Sequence, residues 1–171
     1  MTLADAERAE CPALTSDDVA IETAALSAFR FLVERGASAA RLATSTATTL
    51  VYRWPTHSIE VELDWRERAA FVLLTDDAAG SRGYYVDPAT GHRRRMHMLT
   101  ALEELGLVDR GFATKVRRAQ RGTGASAMLD QIAMFSGLLG DQVDALAAAV
   151  PKLVAGTSSM AFERVSLSDA D

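Results

Sequence analysis

The chain has 171 residues, 49% of them hydrophobic, which suits one domain with a continuous core. Its formal net charge of −5 argues against wholesale polyanion binding, which is driven by summed positive charge, and leaves room only for a local contact. Cys11 is the only cysteine, which excludes an intramolecular disulfide and a cysteine-based zinc site; with no signal-peptide pattern and no uninterrupted membrane-length apolar run, a cytoplasmic protein without membrane spans is expected.

Residues 16–35 place Val19, Ile21, Leu26, Phe29, Leu32 and Val33 mostly three and four positions apart, behind the capping-rich start Thr15-Ser16-Asp17-Asp18. The spacing predicts an amphipathic helix that Gly36 ends. The next segment, GASAARLATSTATT, is small and β-branched and fits a loop, a frayed helical end or the start of a strand. From Thr48 the period falls to two. TTLVYRW and SIEVELDW, joined through PTHS, read as a hairpin in which Ile59, Val61, Leu63 and Trp65 alternate with Glu60, Glu62 and Asp64. AAFVLLT, after a polar turn at 66–68, and YYVD at 84–87 complete four predicted strands, and the short connections leave no room for parallel crossovers.

Further on, Met98, Leu102 and Leu105 predict a helix stopped by Gly106, and Phe112 and Val116 a shorter one with both side chains turned to the core. AMLDQIAMFSGLL and DQVDALAAAVPKLV read as two helices jointed at Gly140, with Asp141 as N-cap. The expected fold is α+β, a four-stranded antiparallel meander packed on one face by the N-terminal helix and the C-terminal helices. It forms a single domain over 1–171, with 1–14 and 157–171 loosely attached. Met128, Leu129, Ile132, Ala133, Met134, Phe135, Leu138 and Leu139 wrap well over half of their helix. Residues 128–139 are therefore buried in the core or in a two-fold homodimer through Met134 or Phe135.

Charge is unevenly spread: residues 91–122 carry +5, whereas 1–36, 37–90 and 123–171 carry −4, −2 and −4. This basic island holds Arg93, Arg94, Arg95, Arg110, Lys115, Arg117, Arg118 and Arg121. Arginine makes bidentate bonds to phosphate, so the functional reading is a local nucleic-acid contact. The plainer reading, a solvated or internally paired set of cations, is favoured because Phe112 reads as core and no stacking aromatics or binding signature surround the island. Within it His92 and His97 stand five apart, on different faces of any helix or strand, so a metal site with His57 would have to be assembled by folding; ordinary loop histidines are the simpler reading.

The row Glu60, Glu62 and Asp64 admits three readings: a hard-metal site without a second carboxylate motif, a docking face for a basic partner, or a solvated sheet face paired with Arg53, Arg66 or Arg68. Trp54, Trp65, Tyr84 and Tyr85 lie near strand ends, as binding surface or as core. No nucleophilic arrangement is present. Cys11 sits among acids, the serines lack a nucleophile elbow, RGTGAS lacks the lysine of a phosphate loop, and His57 meets Glu60 or Glu62 only by short sequence distance.

The order FLVERG, VYRWPTHSIEVELDWRERAAFVLL, GYYVDPATGHRRRMHMLTALEELG and GLLGDQVDAL resembles small bacterial families of unknown function, some of them among the immunity proteins of toxin systems. The resemblance implies a single-domain α+β protein that binds and neutralises a toxin, and it carries over no functional residues. The expected function is thus a non-enzymatic cytoplasmic protein-binding domain that inhibits a basic toxin, such as a nuclease, without cofactor or metal. Glu60, Glu62, Asp64, Trp54 and Trp65 are its candidate contacts. The alternative is an accessory nucleic-acid-contacting protein using the basic island.

Overall fold

Thr15 and Asp18 start the first helix with reciprocal bonds: the Thr15 hydroxyl accepts from the Asp18 amide at 3.2 Å, and the Asp18 carboxylate accepts from the Thr15 amide at 3.1 Å. The computed structural model describes residues 14–76, 95–119 and 121–154. The predicted strand at 84–87, both chain ends, Tyr84, Tyr85, His92, Arg93 and Arg94 lie outside them. Helix α1 spans Ser16–Ala28 and α2 Arg30–Glu34, with Phe29 between them at φ −99, ψ 8, so the expected single helix is broken there. Ile21, Ala25, Phe29 and Leu32 are its buried stripe, while Val19, Leu26 and Val33 face outward. The apolar residues had pooled two faces. Gly36, at φ +90, ends α2 in a left-handed conformation that a side chain would strain.

Five antiparallel strands follow in meander order: β1 Ser38–Ala43, β2 Ala47–Arg53, β3 His57–Asp64, β4 Ala69–Asp76 and β5 Arg95–His97. Two of them correct the four-strand expectation. The segment left open between helix and hairpin forms β1, and Arg95-Met96-His97 adds β5, pairing only with Leu73, Leu74 and Thr75. Cross-strand partners share a face, so the register sorts the sheet into two. Thr48, Leu50 and Tyr52 lie with Ile59, Val61 and Leu63, and these with Ala70, Val72 and Leu74, on one face. Apart from Thr48 these residues belong to the core cluster that also contains Ile21, Phe29, Leu102, Met128 and Phe135 from the helices.

Helices α3 Met98–Glu104, α4 Arg110–Ala119 and α5 Ala125–Val154 complete the described chain. The last is one helix of 30 residues, so Gly140 is not a joint and Asp141 is not a cap. A single glycine costs a helix only about 1 kcal/mol, less than the burial of one large side chain. Met128, Ile132, Phe135, Leu139, Val143 and Leu146 recur at four and three residues along α5 and are all buried, each stabilising the fold by about 1.5–3 kcal/mol. Phe135 is 2% exposed and Met134 and Leu138 pack partly against the core, so a dimer through Phe135 would have to unpack it. Between Ala125 and Ala149 this helix is long and apolar enough, by length and composition alone, to cross a membrane, although Asp130, Asp141 and Asp144 punctuate it.

Polar ties fix the helices to the sheet. Glu22 of α1 grips Arg41 of β1 through both carboxylate oxygens, Asp18 binds Arg68 in the β3–β4 turn, and Arg35 after α2 pairs with Asp144 of α5. Burial alone pushes the Asp18 carboxyl up; hydrogen bonds from Thr15 and Arg68, with the Arg68 charge, outweigh it and hold the group below its ordinary value. Arg68 adopts φ +54, and its carbonyl accepts from the Gly124 amide at 3.3 Å, which ties the turn to the start of α5.

Candidate functional site

The second face of the sheet carries none of the core cluster and, among the described residues, no helix. One row crosses it as Leu42, Thr49, Glu62 and Phe71, and the next as Ala40, Val51, Glu60, Leu73 and His97. Alternation along β3 puts Glu60 and Glu62 about 7 Å apart on this face, both half-buried. Val51 and Leu73 are buried beside them, and Leu42 and Phe71 are half-buried. The unbroken run AAFVLLT concealed this face because its outward residues are as apolar as its inward ones.

Asp64 continues this face between Ala47 and Ala69, whereas the tryptophans fall elsewhere. Asp64 closes the β3–β4 turn, its Oδ1 accepting from the Arg66 and Glu67 amides at 2.9 and 2.8 Å. Trp65 donates its indole N–H to the Thr48 hydroxyl at 3.1 Å, and Trp54 donates to the Arg35 carbonyl at 3.3 Å; both pack against the core on the helix side. The carboxylate row and the tryptophans therefore do not form one surface. His57 is buried on the helix side too, stacked on Trp54 with centroids 4.9 Å apart and planes within 10°. That separates it from Glu60 and Glu62, which removes the hydrolase arrangement. It also separates His57 from His97, which is exposed on the opposite face. Among the described residues no three His, Cys, Asp or Glu side chains converge as a metal site.

Beyond β5 the edge of β4 opens onto a cleft of about 230 Å³ lined by Phe71, His97, Thr100, Arg117, Gln131 and Phe135, among others. Gln131, 2% exposed, takes the place of a neighbouring strand there: its Oε1 accepts from the Ala70 amide at 2.8 Å and its Nε2 donates to the Gly122 carbonyl at 3.2 Å. Sequence reasoning passed it over, although a glutamine within an apolar helical stripe was the available signal. Phe71 belongs both to this cleft and to the carboxylate face, which makes the two continuous.

The basic island divides. Arg117 bonds Glu103 of α3 at 2.6 Å, as the internal-pairing reading expects. Arg95 lies in β5, on the strand next to Thr75. Arg110, Lys115, Arg118 and Arg121 are exposed, and Phe112 is 41% exposed on α4, not turned to the core as its register had suggested; Ala113 and Val116 fill the core-facing side.

The architecture defines an α+β domain with an antiparallel sheet covered on one face by helices. No protein-family model matches the sequence, and no curated protein or solved structure is significantly similar to it. The likeness to immunity families rests on the sequence pattern alone.

Proposed function

We propose that the chain is a non-catalytic protein-binding domain whose sheet face, opposite the described helices, docks a basic partner protein. The observation that carries this reading is the composition of that face: Glu60 and Glu62 stand in rows with the half-buried Leu42 and Phe71, over the buried Val51 and Leu73. Carboxylates steer and select a basic partner, while an apolar and aromatic centre supplies affinity. The immunity-type role implied by the sequence pattern, neutralising a basic nuclease toxin, is the concrete form of this reading. Asp64 lies on the same face and shapes the turn at its end, whereas Trp54 and Trp65, on the helix side, shape the strand ends.

The test is co-expression with basic proteins encoded beside this chain, followed by capture at about 50 mM salt, where screening of surface charge is weak. Retention of such a protein, reduced by Glu60→Lys with Glu62→Lys and by Phe71→Ser, is expected. No retention, or retention indifferent to all three substitutions, overturns the proposal.

A further inference from the structure

The geometry points to a second interaction surface: the outer side of α4 binds single-stranded nucleic acid, with Arg110, Lys115 and Arg118, joined by Arg121 beyond the helix, on phosphates and Phe112 stacked on a base. Among the described residues Arg110, Lys115, Arg118 and Arg121 make no ion pair, so internal pairing accounts for Arg117 but not for these four. From 109 to 121 the chain holds five cations and one acid, Asp109, and that acid is engaged at the helix start, accepting from the Phe112 amide at 2.8 Å. The exposed charge is thus locally positive within a chain of net charge −5. Among the described residues, α4 and Arg121 just after it are the stretch complementary to a polyanion.

Phe112 decides which polyanion. An anionic membrane surface holds a helix through a broad apolar face, but the apolar residues Ala113 and Val116 are already buried in the protein, which leaves one phenyl ring. One exposed ring beside unpaired cations suits a nucleic acid whose bases are free to stack, since each base has a π-face and stacking tolerates any sequence. Arg110 to Arg118 span about 12 Å along the helix, the reach of a few nucleotides. This surface is separate from the carboxylate face and stands or falls independently of it.

The experiment is fluorescence anisotropy of the full chain with labelled dT and U 12-mers, with inorganic polyphosphate as a base-free competitor and phosphatidylserine vesicles in a parallel sedimentation arm. Four phosphate contacts to a single strand predict a log–log salt slope of about −2.8, so affinity falls about 50-fold between 50 and 200 mM salt. Arg110→Gln with Lys115→Gln and Arg118→Gln should flatten the slope to about −0.7, whereas Arg117→Gln should leave it unchanged. Phe112→Ala should weaken oligonucleotide binding about fivefold or more and leave polyphosphate competition unaltered. Thermal melts confirm that each variant is folded. No oligonucleotide binding at 50 mM salt, a triple-variant slope equal to that of the wild type, indifference to Phe112→Ala, or binding to vesicles alone each overturns the proposal.

Discussion

Replacing Gln131 by leucine tests how the half-open edge of β4 is closed. The side chain is 2% exposed and bonds Ala70 and Gly122 at 2.8 and 3.2 Å, joining α5 to the sheet edge and to the loop before the helix. Leucine keeps the approximate volume and removes both bonds, each worth about 1 kcal/mol net, and it strands the Ala70 amide at a further cost of about 1–3 kcal/mol. Added apolar burial returns part of this, for a net loss of about 2–4 kcal/mol, or roughly 5–12 °C in Tm for a chain of this size. Glutamate gives the distinguishing signature. As the neutral acid it can accept from Ala70 and donate to Gly122; as the carboxylate it is a buried charge that has lost its donor. Its folded-state pKa is then raised above the unfolded value, so the stability it contributes is present below the unfolded pKa and lost as pH rises through the folded one. Thermal melts of Gln131→Glu should approach wild type near pH 4.5 and fall well below it at pH 8. A leucine variant within about 0.5 kcal/mol of wild type, the range of a neutral surface change, would refute the bridging role.

Other substitutions probe the remaining elements. Gly137→Ala and Gly140→Ala meet no atom within 4 Å and should each stabilise a continuous α5 by about 0.5–1 kcal/mol in urea melts, whereas a joint at Gly140 would make the second change neutral or harmful. Phe135→Ala should cost about 3–5 kcal/mol by leaving a cavity in the core. Asp18→Asn should cost about 1.5–3 kcal/mol at pH 7 through the lost bond to Arg68. Because the folded pKa of Asp18 is depressed, its stabilisation is present above the ordinary value of 3.8 and is lost as pH falls through the folded pKa, so wild type and Asp18→Asn should converge in acid.

The hairpin, the helix-rich second half and the parity of β3 were legible because large apolar residues alternate or recur with the period of their element. β1 was not, since SAARLA has little to bury; it is a mostly exposed edge strand held by its ladder and by Arg41 on Glu22. Parity held even at the strand ends, where Trp54 continues Leu50 and Tyr52 and Trp65 continues Ile59, Val61 and Leu63 on the helix side; grouping the tryptophans with Glu60 and Glu62 as contacts ran against that alternation. For Phe112 the one-in-four spacing to Val116 suggested the core, yet α4 is short and its buried side is filled by Ala113 and Val116. Of the candidate site, the two glutamates were readable and their apolar neighbours were not, since facing the second side of a sheet leaves no mark in a uniformly apolar strand.

Hydroxyl-radical footprinting of the chain with and without its captured basic partner tests the docking face most directly, because it reports side chains singly. Binding should protect Leu42 and Phe71 on the carboxylate face and leave Trp54, Trp65 and the outward residues Val19, Leu26 and Val33 of α1 and α2 unchanged. Protection of the α1 and α2 residues with Phe71 as reactive as in the free chain would contradict the account.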